Sequence, residues 1–391
     1  MSTEGITNIT EGKSAIPRPA EKLSDRLFFA DNLRTFLIVL VVLHHLAIVY
    51  GAVGPFYFYD PPTNDRLAYV MFFAFVLINQ AWFMGLLFMI SGYFSPGSLK
   101  RKGPKRFVRD RLIRLGIPLV VFFFVLNPIA YLGIYAEPAS LLNRTLPPFW
   151  QLYPKLVGFG PMWFVAMLLV FDIGYAIWWA TRKNRVPLKE RDDAPPRYRT
   201  IAAFILLLAV ASYLIRIVIP LGTVIAYFPT LSYLPEYVSF FLIGLVAVHH
   251  NWFWTVPKSM GRVGFALALI ATLILFPLAL SGAAKVGGHG YWQSAVYALW
   301  DSTVAVGLSL GLVTFFRERI NWSGHRSRFL QLHSYTVYII QVPIIVAVAI
   351  ALFGLSLEHL LKFGLAAVIT IPLCFAVAYL VLKIPYASRV L

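Results

Sequence analysis

Asp31–Tyr50 reads DNLRTFLIVLVVLHHLAIVY, an apolar run that carries one arginine near its start and two adjacent histidines near its end. Crossing a hydrocarbon core roughly 30 Å thick takes about 20 apolar residues in a helix. Runs of this length recur along the whole chain. The sequence therefore predicts an all-α polytopic bundle of about ten transmembrane helices, near residues 33–52, 67–92, 112–135, 161–180, 200–219, 233–249, 262–281, 293–316, 333–352 and 363–383.

The composition excludes an ordinary soluble globular protein. Of the 391 residues, 59% are hydrophobic and 13% are charged, whereas soluble domains are about half apolar and a quarter charged. Trp150, Tyr153 and Trp163 lie near the ends of apolar runs, where an aromatic belt is expected. No small-residue cleavage site follows the first run, which predicts an uncleaved anchor. The single cysteine, Cys374, excludes an intramolecular disulfide.

The basic residues predict the orientation of the helices. If the N-terminus is cytoplasmic, 28 of the 34 lysines and arginines lie in the cytoplasmic loops, at helix ends or in the two tails. Five lie in outer loops, and Arg216 lies late in the fifth helix. This excess follows the positive-inside rule and explains the net charge of +17 without a nucleic-acid partner. We expect a cytoplasmic tail over residues 1–32, a transmembrane domain over 33–383 and a cytoplasmic tail over 384–391.

The first helix carries a pair of ionisable residues on one face. Arg34 and His45 are eleven residues apart, which is three turns and about 20°, with a rise of roughly 16 Å. Arg34 is then at the cytoplasmic interface and His45 near the middle of the membrane, while His44 points elsewhere. Ionisable groups at this depth often mark a site. In the alternative interpretation, Arg34 reaches the headgroups and His45 bonds a neighbouring helix.

A second basic group lies around the first predicted cytoplasmic loop. The second helix is expected to end in Phe88–Tyr93, which includes Ser91, and the loop leads to Arg111 and Arg114. These arginines are three residues apart and share a helix face. Arginine is suited to bidentate contacts with phosphate. The positive-inside bias is the alternative explanation for the arginines, and tight packing of a Ser–Gly pair is the alternative for Ser91.

Other polar residues at membrane depth favour structural roles. Arg216 and Glu236 are expected to form an ion pair near the outer side, and Asp172 and Asp301 are candidate hydrogen-bond acceptors. His249 lies beside a second histidine, without the cluster of histidine and cysteine ligands that a zinc site needs. The sequence predicts no metal site.

Three segments have a distinctive order and spacing: Asp31-Asn32-Leu33-Arg34 with ten residues to His45, Phe88–Tyr93 followed by Arg111 and Arg114, and Ser334–Tyr338. In order and spacing they resemble the acyltransferase-3 family of bacterial membrane acyltransferases, over essentially the whole chain. Gly160–Phe164 is similar to a segment from the branch near glucan-modifying members. Gln341 is a departure, because the family often has a histidine at about that place.

The resemblance implies an enzyme of the bacterial cytoplasmic membrane that moves an acyl group, usually acetyl, from cytoplasmic acyl-CoA to a hydroxyl of a saccharide at the outer face. On that basis His45 and Arg34 are the expected catalytic residues, and Arg34, Arg111, Arg114 and Ser91 are expected to bind the donor. His45 can act as a general base, or it can carry the acyl group transiently. The acceptor is not identified.

Two other functions remain open at this point. A transporter or exporter of a modified polysaccharide or small solute also uses ionisable residues at membrane depth. A transporter would be expected to show repeat symmetry, and none is visible in the sequence. A scaffold or sensor that keeps the motifs without the chemistry is the third alternative.

Overall fold

The computed structural model describes residues 27–62, 65–136, 146–182, 194–282 and 285–391. Within these residues it has helices and no strand. The tail predicted over residues 1–32 lies largely outside the described residues, as do Arg144 and most of the basic loop before residue 194.

In the described part of the chain, ten helical spans are long and apolar enough to cross a membrane, which confirms the predicted bundle. They are α1 (Phe28–Gly51), α2 (Arg66–Lys102), α3 (Pro104–Ala136), α4 (Phe149–Thr181), α5 (Tyr198–Val218), α6 (Leu231–His249), α7 (Lys258–Leu280), α8 (Trp292–Arg319), α9 (His325–Leu352) and α10 (His359–Leu382). We call the side that holds the start of α1 the basic side and the other the outer side.

Three of the spans are interrupted. α2 consists of α2a (Arg66–Gln80) and α2b (Phe83–Lys102), because the helix breaks at Ala81 and Trp82. In α3, π-helical turns occupy Leu112–Gly116 and Phe122–Leu126, and the second of them ends at the Asn127-Pro128 step. α4 contains the short helix Phe149–Leu156 and the long helix Trp163–Thr181.

α1 is the centre of the bundle. Within its apolar stretch of 18 residues, 72% are buried inside the protein, which is the largest share among the described spans. It packs against α2, α8, α9 and α10. α5 and α7 have the smallest buried shares, so they form the periphery that faces lipid. The arginine and histidine of the first helix therefore lie on the most enclosed element of the molecule.

α7 and α8 show how peripheral helices attach to this centre. A side chain built on Gly264 would come within 2.5 Å of the Gly307 carbonyl oxygen, and one built on Gly307 would meet the Gly264 carbonyl equally closely. Small residues of this kind let two backbones approach within a bilayer, where lipid chains remove the hydrophobic drive for helix association.

Candidate functional site

α1 places Arg34 and His45 in one uninterrupted helix, as predicted. The guanidinium of Arg34 lies 3.7 Å from a carboxylate oxygen of Asp31 and 5.5 Å above the ring of Phe94 in α2b, and the side chain is 40% exposed. Because α1 is continuous, His45 is roughly 16 Å further along the axis, towards the outer side. The two residues thus occupy two depths of the same helix.

His45 is held from two directions. Its Nδ1 atom lies 3.1 Å from Oε1 of Gln341 in α9, and its ring stacks on Phe56 at a centroid distance of 5.4 Å. With the amide oxygen of Gln341 facing it, Nδ1 is assigned the imidazole proton, so Nε2 carries the lone pair. The alternative interpretation, that His45 bonds a neighbouring helix, is confirmed by this contact with α9.

His44 points elsewhere, as expected from the 100° step of the helix. Its ring lies 5.0 Å from that of Phe83, at the start of α2b. It is buried, and its Nδ1 atom has no hydrogen-bond partner among the described residues. His44 therefore belongs to the packing between α1 and α2b rather than to the face that carries Arg34 and His45.

The segment after α1 folds back over His45. Asp60 anchors it twice: its backbone N–H donates to the Val49 carbonyl, and its carboxylate lies 2.6 Å from the ammonium of Lys362 in α10. The Tyr57 hydroxyl donates to Oδ1 of Asn127 in α3, and burial raises the pKa of Tyr57 well above its ordinary value. That hydroxyl therefore stays a donor, and the segment is held in place with Phe56 against the His45 ring.

On the basic side, Arg111 is part of a hydrogen-bonded group of three side chains. Its Nε lies 2.9 Å from Oδ2 of Asp172, and one terminal nitrogen lies 3.5 Å from the Ser95 hydroxyl. Ser95 in turn donates to Oδ1 of Asp172 at 2.7 Å. The prediction that Asp172 accepts hydrogen bonds is confirmed. Arg111 keeps 25% of its side chain exposed, so it can still meet a ligand.

Arg114 lies in the first π-helical turn of α3 and is exposed. The Tyr335 hydroxyl donates to the backbone carbonyl of Arg114 at 2.7 Å. Tyr335 belongs to the Ser334–Tyr338 segment. The structure therefore brings the arginine segment of α3 and the tyrosine segment of α9 together on the basic side.

The position of Ser91 differs from the prediction. The helix does not end near Tyr93, because Pro96 is accommodated within it and α2b continues to Lys102, where Gly103 takes a φ of 74°. Ser91 is therefore inside the helix, and its hydroxyl donates to the Leu87 carbonyl at 2.8 Å. Its proton is used within the helix, so only the oxygen lone pairs remain to contact a ligand. The role of Ser91 in binding the acyl donor stays a prediction.

The residue after Ser91 supports the packing alternative. A side chain built on Gly92 would come within 2.3 Å of the Phe241 carbonyl and 3.3 Å of the Gly244 Cα atom, both in α6. The Ser–Gly pair thus permits close contact between α2b and α6.

The predicted pair of Arg216 and Glu236 is wrong. Arg216 binds Asp301 of α8, with 2.5 Å between their nearest side-chain atoms, and its guanidinium lies between the rings of Tyr233 and Tyr297. Glu236 instead packs against Gly85, at the start of α2b. The error arises because the carboxylates of Asp301 and Glu236 are both near Arg216. The packing of the helices determines which of the two binds the guanidinium. Asp301 accepts a hydrogen bond, as expected.

The described residues contain no group of three or more histidine, cysteine, aspartate or glutamate side chains that could hold a metal. Sequence reasoning missed four side chains around the predicted ones: Ser95, Asp172 as an ion-pair partner, Phe56 and Tyr335. Of these, only Tyr335 lies in a segment that the sequence pattern singled out. Ser95 and Asp172 lie outside those segments, and Phe56 lies in the loop just after α1, where helical spacing predicts no contact with His45.

Comparison with known proteins identifies the family. The family model described as "Acyltransferase domain" (acyltransferase 3) matches residues 27–381. Among curated proteins, "Glucans biosynthesis protein C" of Salmonella paratyphi B and the protein of that name from Salmonella paratyphi A are each 23% identical over 346 residues, which cover 83% of this chain and 84% of the relative. No solved structure matches the chain.

Proposed function

This chain belongs to the acyltransferase-3 family, and on that premise we propose that it moves an acyl group, acetyl in the first instance, from acyl-CoA on the basic side to a hydroxyl of a saccharide at the outer face. The basic side is then the cytoplasmic side of a bacterial inner membrane. The name of the relatives points to a glucan as the acceptor to try first.

The observation that carries the proposal is the arrangement of α1. Arg34 lies at one depth and His45 at another, and Gln341 orients the imidazole so that Nε2 can accept a proton. Acyl-CoA has phosphates at one end and a thioester at the end of an extended arm. A cationic group and a base at separate depths of one helix match such a donor.

The phosphates are assigned to the basic side. Arg34, Arg111 and Arg114 each expose part of the side chain there, and arginine forms strong charge-assisted hydrogen bonds with phosphate oxygens. Asp172 holds the Arg111 guanidinium from within the protein, which fixes its direction before a ligand arrives. Preorganisation of this kind lowers the entropy that binding would otherwise cost.

The chemical step uses Nε2 of His45. The imidazole takes the proton of the acceptor hydroxyl, the hydroxyl oxygen attacks the thioester carbonyl, and the carbon–sulfur bond breaks. The released CoA thiolate takes the proton back from the imidazolium, which leaves an ester and a free thiol. General base catalysis of this type contributes about 10²–10⁴-fold. In the alternative route His45 carries the acyl group covalently, and mass spectrometry of the protein kept near neutral pH without an acceptor would detect that species.

A reconstituted system tests the proposal. Purified protein in proteoliposomes receives acetyl-CoA on one side only, and free thiol is measured with and without a linear glucan on the other. We expect thiol release that depends on the glucan and yields an acetylated product. Solute or glucan movement without acyl-CoA, together with no thiol release, would instead identify a transporter.

A further inference from the structure

A second feature of the basic side is an apolar cavity that the proposed reaction does not use. It has a volume of about 190 Å³ and lies between α2b, α5, α6, α8 and the short helix Trp252–Thr255. Its walls are apolar, and they include Met89, Phe204, Ile243 and Val313. A dry apolar cavity of about 150 Å³ is enough to bind benzene, so this one can admit several carbons of an alkyl chain.

The short helix that closes the cavity is fixed by specific contacts. Arg317 donates to the carbonyl oxygens of Phe253 and Trp254, at 3.3 and 2.8 Å. The indole N–H of Trp252 donates to the Ala194 carbonyl at 3.1 Å. Asn251, which precedes this helix, has a φ of 54°. A wall held by three side-chain hydrogen bonds is a formed surface rather than a gap between loosely packed helices.

The mouth of the cavity lies at the basic end of α5. Thr200 contributes to the lining and is itself exposed, so the cavity reaches the surface there. Arg197 and Arg199, on either side of Tyr198 at the start of α5, are also exposed. Basic residues that flank an apolar opening between helices on the cytoplasmic side attract anionic lipid headgroups. The charge at the mouth therefore complements a lipid of the inner leaflet.

The cavity is separate from the proposed donor site, because the two lie on different faces of α2b. Met89 lines the cavity, and Tyr93 stacks on Phe253 at a centroid distance of 4.1 Å. Phe94 and Ser95 instead contact the two arginines, Arg34 and Arg111. At 100° per residue, Ser95 and Met89 are about 120° apart around the helix. The α2b backbone thus separates an alkyl chain in the cavity from the arginines.

We propose that this cavity binds one acyl chain of an anionic phospholipid of the inner leaflet, whose headgroup contacts Arg197 and Arg199. The occupant is a lipid and not the acyl donor, since the donor's phosphates would be held by the arginines across α2b. The binding is non-covalent and independent of acyl transfer.

Native mass spectrometry of the purified protein tests this directly, with phosphatidylglycerol and phosphatidylcholine of identical chains as probes. We expect one phosphatidylglycerol to be retained in preference to phosphatidylcholine. Ile243→Trp, which fills the cavity, should reduce its retention at least tenfold. Leu242→Trp is the matched control, because Leu242 is 52% exposed on the same helix and is outside the cavity lining. Equal retention by the two variants would overturn the proposal.

The headgroup contact has its own test. Arg197→Ala combined with Arg199→Ala should remove the preference for phosphatidylglycerol, whereas Arg326→Ala, an exposed arginine at the basic end of α9, should keep it. If the double variant keeps the full preference, the headgroup assignment is wrong. Competition of acyl-CoA for the retained lipid would also overturn the proposal, since it would make the cavity part of the donor site.

A crosslinking experiment on the unaltered chain avoids any effect of substitution on folding. A phosphatidylglycerol with a diazirine near the chain end should label peptides that contain Phe204, Ile243 or Trp252 in a membrane. Labelling confined to the lipid-facing residues of α7 would contradict the proposal. None of these readouts requires acyl transfer, so failure here and failure of the proposed enzyme function are distinguishable.

Discussion

Two arginine–aspartate pairs with similar chemistry occupy contrasting surroundings. Arg111 and Asp172 meet on the basic side, 2.9 Å apart, with 25% of the arginine side chain exposed. Arg216 and Asp301 meet within the bundle, where the arginine side chain has no exposed area and two tyrosine rings enclose the guanidinium. The first pair keeps a cation available to a ligand, while the second uses its cation entirely within the protein.

The contrast teaches that exposure, rather than the presence of a charge at membrane depth, separates a candidate binding residue from a structural one. A buried ion pair has given up its hydration, so loss of one partner leaves an unpaired charge in a medium that cannot solvate it. A partly exposed arginine can exchange water for phosphate while its carboxylate partner stays in place.

The largest effect is expected at the buried pair. Arg216→Ala should lower the free energy of unfolding by about 3–5 kcal/mol, because Asp301 is left buried without its partner. Thermal unfolding of the detergent-purified variant, followed by exposure of buried tryptophan, measures this. Arg216→Met together with Asp301→Leu should recover most of the loss. An Arg216→Ala variant as stable as the parent would show that this pair is not structural.

Arg111→Ala should lower stability less than Arg216→Ala does, and it should also weaken the binding of acyl-CoA. We expect a loss of about 2 kcal/mol in stability, intermediate between exposed and buried pairs, since the Asp172 carboxylate is itself buried. The KM for acyl-CoA should rise about tenfold, equivalent to about 1.4 kcal/mol. Adding Asp172→Asn should restore stability but not the KM. Recovery of both in the double variant would mean that Arg111 does not contact the donor.

Arg114→Ala should affect the donor alone. Arg114 is exposed, and no carboxylate of the described residues lies within salt-bridge distance of it, so its loss leaves no buried charge behind among them. We expect the KM for acyl-CoA to rise several-fold, by about 1 kcal/mol of binding energy, with no change in the unfolding temperature. Arg262→Ala, at the exposed basic end of α7, is the control that should leave the KM unchanged. If the two variants had the same KM for acyl-CoA, Arg114 would not belong to the donor site.

The sequence was sufficient for the number of spans and for the relation between Arg34 and His45. Span length follows from bilayer thickness, and the eleven-residue spacing within a regular helix fixes both face and depth. These are local properties, so one segment of chain determines them. The overlap of α1 with its predicted range shows this directly.

Contacts between helices could not be predicted in this way. Arg216 had two carboxylates within reach, and the choice of Asp301 over Glu236 depends on how α5, α6 and α8 pack. The contact of Gln341 with His45 joins residues 296 positions apart. Local rules also misplaced the end of α2, because a proline within a membrane helix can be accommodated by its neighbours.

The central claim is that His45 is the general base of an acyl transfer and that the exposed arginines bind the acyl donor. The most direct test is the rate of thiol release from acetyl-CoA by reconstituted His45→Ala protein in the presence of a glucan acceptor. We predict a rate at least 10²-fold below the parent's, consistent with loss of a general base, while acetyl-CoA affinity and unfolding temperature stay unchanged. Turnover by His45→Ala at the parent's rate would contradict the claim.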